Sequence, residues 1–600
     1  MNESLVALAQ GRFPDLTEAE TRVLEAAIEG KLAICSQNHN DNDPMNNPGN
    51  GENWLPLRTI RADVLHWLCT TDIASGRVSK HGIKIYAARI SGVLDFSYVT
   101  IPFPLFFRRC SFAEDISFKN SRIPSLILTS SWAHTILADG VDVASNVLLN
   151  AGFHSRGEVL FRDAKIGGIF RTDGGVFEYA SGTNFGCNSE NALGCDRIRV
   201  NGGVFLSRPD SRSHFRGEVG FAGAWIGSNL ECDGGTFDNP DKAAVRADRV
   251  TTVGSIFLRN GFSATGAVRL LNARMQVLDC TNGTFDGNGN IALHAENATI
   301  PGLAVFDGSI TRSGSTQLWG IDVGAVSCRR CKFMKLDLRN ACLHHALRWK
   351  EIVGPRGAVL DLRDASIESI EDDEASWPSP GNLYVDGLRY EGFANCSRDI
   401  DTRLRWIGLD KSDSPRSYKQ LAYVYTKMGE TRNARGVLYR LEELLHSRQP
   451  ALITIGLHNP LPALWSFLLK WTIGYGYKLE RAFAWMLLVT IIGIICSSIG
   501  YREKMIVPTE KDAYTHFVAH QQPPASYQRF SSFMYSVEHS VPAINLGISS
   551  NWSANTAAQF PGHPPYVYGL RWWFCVQTLL GWGLSIFFIA GLTGLVKSDK

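Results

Sequence analysis

The stretch HSRGEVLFRDAKIGGIFRTDGGVF, His154 to Phe177, recurs 60 residues later as HFRGEVGFAGAWIGSNLECDGGTF, His214 to Phe237. A third, weaker copy, SATGAVRLLNARMQVLDCTNGTF, runs from Ser263 to Phe285. Self-similarity of this kind marks a stacked architecture in which no repeat can bury its apolar face alone. Inside the copies lies a smaller unit: a small or polar residue, Ala, any residue, then an aliphatic one. It reads AARI from Ala87, DAKI from Asp163, GAWI from Gly223 and NARM from Asn272, then NATI from Asn297, NACL from Asn340 and DASI from Asp364. Spacings near 24 residues, as between Asn340 and Asp364, suit one coil of short strands and tight corners. The aliphatic residue then points inward, Ala packs under a corner, and Asn or Asp bonds the turn backbone. The expected fold is mostly β: a right-handed parallel β-helix over residues 78–395, with N-terminal helices, a helical adaptor and two C-terminal transmembrane helices.

Working outward toward the N-terminus, residues 54–77 contain TIRADVLHWLCT, with Ile60, Val64, Leu65 and Leu68 at helical spacing. Residues 37–53 hold most of a polar tract, SQNHNDNDPMNNPGNGEN, that reads as a linker unable to bury enough apolar surface to order itself. In residues 1–36, Thr17 and Glu20 form a capping box ahead of Val23, Leu24, Ala27 and Ile28. Toward the C-terminus, residues 396–448 form the adaptor. There Tyr418, Leu421, Ala422 and Tyr425 make one helical face, Gly429 breaks it, and Ala434, Val437, Leu438, Leu441 and Leu445 make another. This pairing resembles a single tetratricopeptide-like hairpin.

Two runs then oblige the chain to meet a membrane. After a juxtamembrane segment, 449–481, residues 482–501 are 20 uncharged residues, and residues 572–596 are 25 more. Each is long enough to cross a hydrocarbon core. Between them lies an external loop, 502–571, and after them a tail, 597–600. Lys470, Lys478 and Arg481 before the first run, with Lys597 and Lys600 after the second, place both ends in the cytoplasm, which in a bacterial cell means at the inner membrane. The opening MNESLVALAQGRF lacks the basic and apolar regions of a secretory signal, in keeping with a cytoplasmic N-terminal domain. In the second run Gln577, Thr578, Ser585, Gly581, Gly591 and Gly594 favour helix pairing.

Chemistry is sparse along the chain. With 60 basic against 58 acidic residues and no dense basic run, nucleic acid is not an expected partner. Thirteen cysteines spread from Cys35 to Cys575 read as buried thiols in a reducing compartment, and Cys328-x-x-Cys331 lacks the further ligands of a zinc site. Asp139 and Asp142 resemble the paired carboxylates of β-helix polysaccharide enzymes, but Asp around Gly is a turn former. No dinucleotide fingerprint, Walker A, zincin helix or nucleophile elbow is present, so no cofactor, metal or catalytic residue is assigned.

Three resemblances extend this reading. LDLRNACL, Leu336 to Leu343, and LDLRDASI, Leu360 to Ile367, look like pentapeptide-repeat coils. TIRADVLHWLC, the DAKI and NARM coils, YKQLAYVYTKMGETRNAR and GYGYKLERAFAW together resemble a family of bacterial membrane-associated proteins. Its members are sometimes labelled membrane-associated oxidoreductases, a label for which this sequence offers no electron-carrying site. The membrane part distantly resembles two-helix potassium-channel pore domains, in two competing places. Thr472, Gly474, Tyr475 and Gly476, in TIGYG, imitate a carbonyl filter but precede the first span; the other reading of them is an interfacial elbow. Between the spans, FSSFMYSVEHSV followed by PAINLG has the order of a pore helix and return, with Glu538, His539, Ser540, Asn545 and Gly547 as pore-lining candidates. Alternatively the segment is a plain external loop.

The expected protein is thus a non-enzymatic scaffold or sensor platform held in membrane lipid, with a protein partner on the β-helix face. The alternative is a homo-oligomeric channel gated by the β-helix.

Overall fold

The computed structural model describes residues 4–54, 56–179, 191–448, 468–472, 474–541, 544–555 and 564–592. The chain divides into two compact units, Met1–Gln420 and Leu421–Lys600. The first is a parallel β-solenoid of about 13 turns; over the chain about 31% of residues are strand and 30% helix.

Each coil hydrogen-bonds in register to the next. Along one side, Leu105, Leu126, Val147, Phe170, Val204 and Leu230 sit directly opposite one another on successive strands. All six are buried, forming a continuous aliphatic and aromatic row. Phenylalanines, among them the three that end the repeat copies, form a second row. Phe177, Phe215 and Phe237 stack with ring centroids 4.9 Å apart, and Phe262 and Phe285 continue the series. The aliphatic residues of the repeated unit, such as Ile166, Ile226 and Ile300, point inward as expected.

The first residue of that unit explains its composition. Ala87, Asp163, Gly223, Asn272, Asn297, Asn340 and Asp364 all adopt φ between 53° and 67°. This left-handed conformation crowds Cβ against the carbonyl, and Gly, Asn and Asp tolerate it best. The repeated N/D/G-A-x-aliphatic signature is therefore a corner followed by an inward strand.

Both ends of the solenoid are covered. At the N-terminal end, helices Leu5–Arg12 and Glu18–Glu29 carry buried Leu5, Ala9, Val23 and Leu24. The Thr17/Glu20 capping box forms as read from sequence. Glu20 also accepts from Arg61 Nε and Nη2, each at 2.8 Å, and from the Arg61 amide at 2.9 Å. Burial pushes the Glu20 carboxyl up, but the bonds from Arg61 and Thr17 outweigh it and hold the group below its ordinary value. Ile60 belongs to strand Thr59–Arg61 rather than to the following helix, Ala62–Thr70.

The polar tract at 37–53 differs from expectation, because it is ordered. Asp43 and Asn47 cap two short 3-10 turns, and buried Asn46 donates to Asn38 Oδ1 at 2.9 Å and to the Asn40 carbonyl at 3.0 Å. Asp41 accepts from the Tyr86 hydroxyl at 3.1 Å and pairs with Arg108. Its side chains supply polar contacts to the first coils, in place of apolar burial.

At the other end, the last strand is Arg389–Phe393, and helix Ile400–Ile407 follows. Arg403 on that helix is fully buried, donates to both oxygens of Asp372 at 2.9 and 2.8 Å, and lies 4.1 Å from the Phe393 ring centroid. Trp377 Nε1 donates to the same carboxylate at 2.8 Å. With Nε donating to the Ser397 carbonyl at 2.7 Å, all three guanidinium nitrogens of this buried cation have a partner, tying the helix to the last coils. Helices Pro415–Lys427 and Thr431–Arg448 come next, separated at Gly429, where φ is +81°.

Asn340→Val is expected to destabilise the solenoid by about 1–2 kcal/mol, while Asn340→Gly leaves it nearly unchanged. Urea unfolding followed by circular dichroism measures the difference. Glu20→Gln should cost about 1.5–3 kcal/mol at neutral pH. Because the Glu20 carboxyl is held below its ordinary value, its contribution is full above pH 4.5 and lost as pH falls below it. The wild type and the variant should therefore converge in melting temperature on acidification.

Candidate functional site

The second unit is built on two helices long and apolar enough to cross a membrane. They are Leu479–Arg502 and Pro564–Leu592, with apolar windows Glu480–Arg502 and Tyr568–Ala590. Only 22% of each window is buried within the chain. Phe483, Leu487, Ile491 and Ile495 on the first, and Leu579, Trp582 and Ile586 on the second, remain exposed. A helix apolar around its circumference needs apolar surroundings on its open faces.

Between the two long helices lies a third, Ser532–Ser540, which packs on both. Its contacts are polar and close. Gln577, fully buried, places Nε2 3.1 Å from the Ser536 carbonyl and 2.8 Å from each of the Ser536 and Ser540 hydroxyls, its two N–H groups shared among the three acceptors. A backbone carbonyl can only accept, which fixes the amide with its nitrogen toward the short helix. Ser536 Oγ in turn donates to the Thr490 carbonyl at 2.8 Å, and Ser497 Oγ donates to the Ser532 carbonyl at 3.3 Å. Hydroxyls and an amide thus tie one helix to two others.

Small residues make this approach possible. A Cβ on Gly581 would fall 2.3 Å from the Ser540 carbonyl oxygen, and one on Gly493 would fall 2.3 Å from Ser536 Oγ and from Gln577 Nε2. Gly581 is the close-approach glycine expected from sequence, but its neighbour is the short helix. Gln577 likewise bonds the short helix. Thr578 Oγ1 donates to its own helix at Phe574 O, 2.9 Å away, and Ser585 Oγ lies 4.0 Å from Met486 Sδ on the first long helix. Gly591 ends within the second long helix, and Gly594 lies outside the described residues.

The segment between the long helices folds around Trp552, which is fully buried among Ile506, Val507, Phe517, Tyr535, Ile548 and Phe574. Strand Ile506–Pro508 pairs antiparallel with Trp552–Ala554, and helix Lys511–His520 packs against the pair. Tyr501 and Phe530 stack at 4.6 Å beside the tryptophan. Of the loop expected at 502–571, the described residues up to 555 therefore build a small lobe with an aromatic core, and residues 564–571 belong to the second long helix. Sequence reading missed the lobe, although the aromatic density on either side of Trp552 was available as a signal.

The five pore-lining candidates have distinct places. Glu538 Oε2 accepts from the amides of Ile548 and Ser549 at 3.0 and 2.9 Å, capping the turn Ile548–Asn551. Asn545 Oδ1 accepts from the Gly547 amide at 3.0 Å, and Gly547 has φ +73°. Those three residues meet around one turn. His539 packs away from it, with its ring 4.5 Å from Tyr535 and 5.3 Å from Phe574, and Ser540 is buried against Gln577. Pro542 and Ala543 lie outside the described residues.

The filter-like residues lie elsewhere. Gly474, Tyr475 and Gly476 form a 3-10 turn ahead of the first long helix. Tyr475 is buried at φ 54°, with its ring 6.1 Å from Tyr439. Thr472 Oγ1 donates to the Leu468 carbonyl, within the preceding helical turn. Lys470 pairs with Glu443 at 3.0 Å, and Arg481 Nη1 donates to the Lys470 carbonyl at 3.0 Å. Trp485 Nε1 donates to the Trp471 carbonyl at 3.1 Å. The described residues of the stretch are tied by these bonds to the start of the helix.

Comparison of the chain with known protein families, with curated proteins and with solved structures finds no match in any of the three.

On the solenoid, the carboxylates singled out in the sequence are occupied by cations. Asp139 receives Arg162 Nε at 3.1 Å and Nη2 at 2.6 Å, while Asp142 sits in register between Arg122 and Lys165. Similar pairs link neighbouring coils, as in Arg197 to Asp163 and Arg269 to Asp248. Cys328 and Cys331 are buried free thiols, and burial pushes Cys328 well above its ordinary value.

Gly581→Val should expel the short helix, since the Ser540 backbone cannot yield. Gln577→Leu should cost about 0.6–2 kcal/mol. Melting of the detergent-solubilised protein, monitored by Trp fluorescence, is expected to rank wild type above Gln577→Leu and both well above Gly581→Val.

Proposed function

We propose that this chain is an integral membrane protein of a bacterial inner membrane that presents a cytoplasmic β-solenoid as a scaffold or sensor platform, binding a protein partner rather than performing catalysis. The observation that carries the reading is the pairing of a rigid ladder with apolar helices. Outward-facing Arg122, Asp142, Lys165, Arg199 and Trp225 stand opposite one another on successive strands. Such a row repeats at a fixed spacing of about 4.8 Å, set by backbone hydrogen bonds. Lys165 and Arg199 are exposed, and Arg199 lies 4.5 Å from the Trp225 ring centroid. This surface suits an acidic, extended partner segment. The two long helices, exposed and apolar, supply the anchor in lipid. Membership of the membrane-associated family described above, and the pentapeptide-like character of the later coils, belong to this same reading.

A second reading, a homo-oligomeric pore gated by the solenoid, is favoured by one feature. The order long helix, short helix between both long helices, exposed return at Ile544, Asn545 and Leu546, long helix is that of a two-helix pore subunit. Assembly of several copies would bring these returns together.

Two measurements decide between the readings. A photo-crosslinking residue at Lys165 in intact membranes should yield a discrete protein adduct that disappears when Arg122 and Arg199 are changed to Glu. Absence of any adduct along the row would contradict the platform. Light scattering in detergent and ion flux into vesicles address the pore: a tetramer conducting ions, silenced by Gly581→Val, would establish it, and a non-conducting monomer would remove it.

A further inference from the structure

Farther along the same outward row, the parallel register sets Asp322 directly opposite Cys342 on strands Asp322–Arg329 and Cys342–Lys350. His344 follows Cys342 by two residues and so leaves the strand on the same side. The register then shifts, so that Val323 faces Leu343 but Val326 faces Leu347. The second strand thus carries one extra residue there, a bulge of the kind that re-aims side chains. His344 Nε2 is 2.6 Å from Asp322 Oδ1 and 4.0 Å from Cys342 Sγ. The three ligand atoms all lie within 4.8 Å of one another, in what is, among the described residues, the one cluster of three such donors.

Two comparisons within the chain set this place apart. The other histidines paired on the solenoid meet carboxylates without a thiol: His154 with Glu178, His214 with Asp238, His294 with Glu296 and His345 with Glu368. The cysteines Cys110, Cys195, Cys232, Cys280, Cys328 and Cys331 are buried, whereas Cys342 is half-exposed on the outer side.

We propose that Asp322, Cys342 and His344 bind a divalent cation of the zinc class through carboxylate oxygen, thiolate sulfur and imidazole nitrogen, with water in a fourth position. Metal bonds of about 2.0–2.3 Å at tetrahedral angles require donor separations of roughly 3.3–3.6 Å. The separations of 2.6 and 4.0 Å bracket that range, so small side-chain rotations on fixed strands form the site. Sulfur with nitrogen selects zinc or cobalt over magnesium or calcium. The thiol proton is released to solvent on binding, and the cation replaces the His344–Asp322 hydrogen bond.

Cobalt(II) added to the full-length protein in detergent is the probe. A near-ultraviolet thiolate-to-cobalt band is expected, together with visible absorbance of tetrahedral strength, both displaced by zinc. Cys342→Ser should abolish the near-ultraviolet band. His344→Asn should keep it but weaken cobalt affinity at least about tenfold. Metal-free melting temperatures equal to wild type show that both variants keep the fold. No near-ultraviolet band up to millimolar cobalt, or a band that survives Cys342→Ser in the folded variant, would overturn the site.

Discussion

Every coil of the solenoid depends on a corner that ordinary residues resist. One residue per repeated unit, from Ala87 to Asp364, turns the chain at positive φ, and the strand after it then delivers its aliphatic side chain inward. If that corner fails, the inward row loses its register, because strand faces alternate residue by residue. The recurrence of Asn, Asp and Gly at the position reflects backbone sterics, not ligand binding. Cross-coil pairs such as Arg162 with Asp139 then lie along the outer surface as a by-product of the same stacking.

A related constraint shapes the second unit. There, close approach is set by residues that lack bulk: Gly493 and Gly581 leave room for the helix Ser532–Ser540, and serines with Gln577 supply its hydrogen bonds. In apolar surroundings packing and hydrogen bonds, not burial of oil-like surface, hold helices together. The aromatic lobe around Trp552 closes over one end of this bundle and has an ordinary hydrophobic core.

Legibility followed periodicity. The repeats between His154 and Phe285 exposed the solenoid because each copy meets the same environment. The Thr17/Glu20 box and the two uncharged runs were equally plain, being local. What escaped reading were contacts between distant segments: the ordering of the 37–53 tract by Asp41 and Asn46, the aromatic lobe, and the cluster of Asp322, Cys342 and His344. The cluster is spread over two coils, so no spacing rule applied to one strand reveals it. Thr490, Gly493 and Ser497, at spacings of three and four on the first long helix, were a readable small-residue face that marks where the short helix packs. Glu538 and His539 suggested pore chemistry by residue type, whereas in the structure one caps a turn and the other packs on aromatic rings.

The helix Ser532–Ser540 is held between two helices long and apolar enough to cross a membrane. Backbone hydrogen exchange of the full-length protein in lipid nanodiscs measures that packing. Amides of residues 535–540 are expected to remain protected for as long as those in the middle of the long helices, while those of the exposed Asn545 and Leu546 exchange rapidly. Equal and rapid exchange across 532–547 would contradict it.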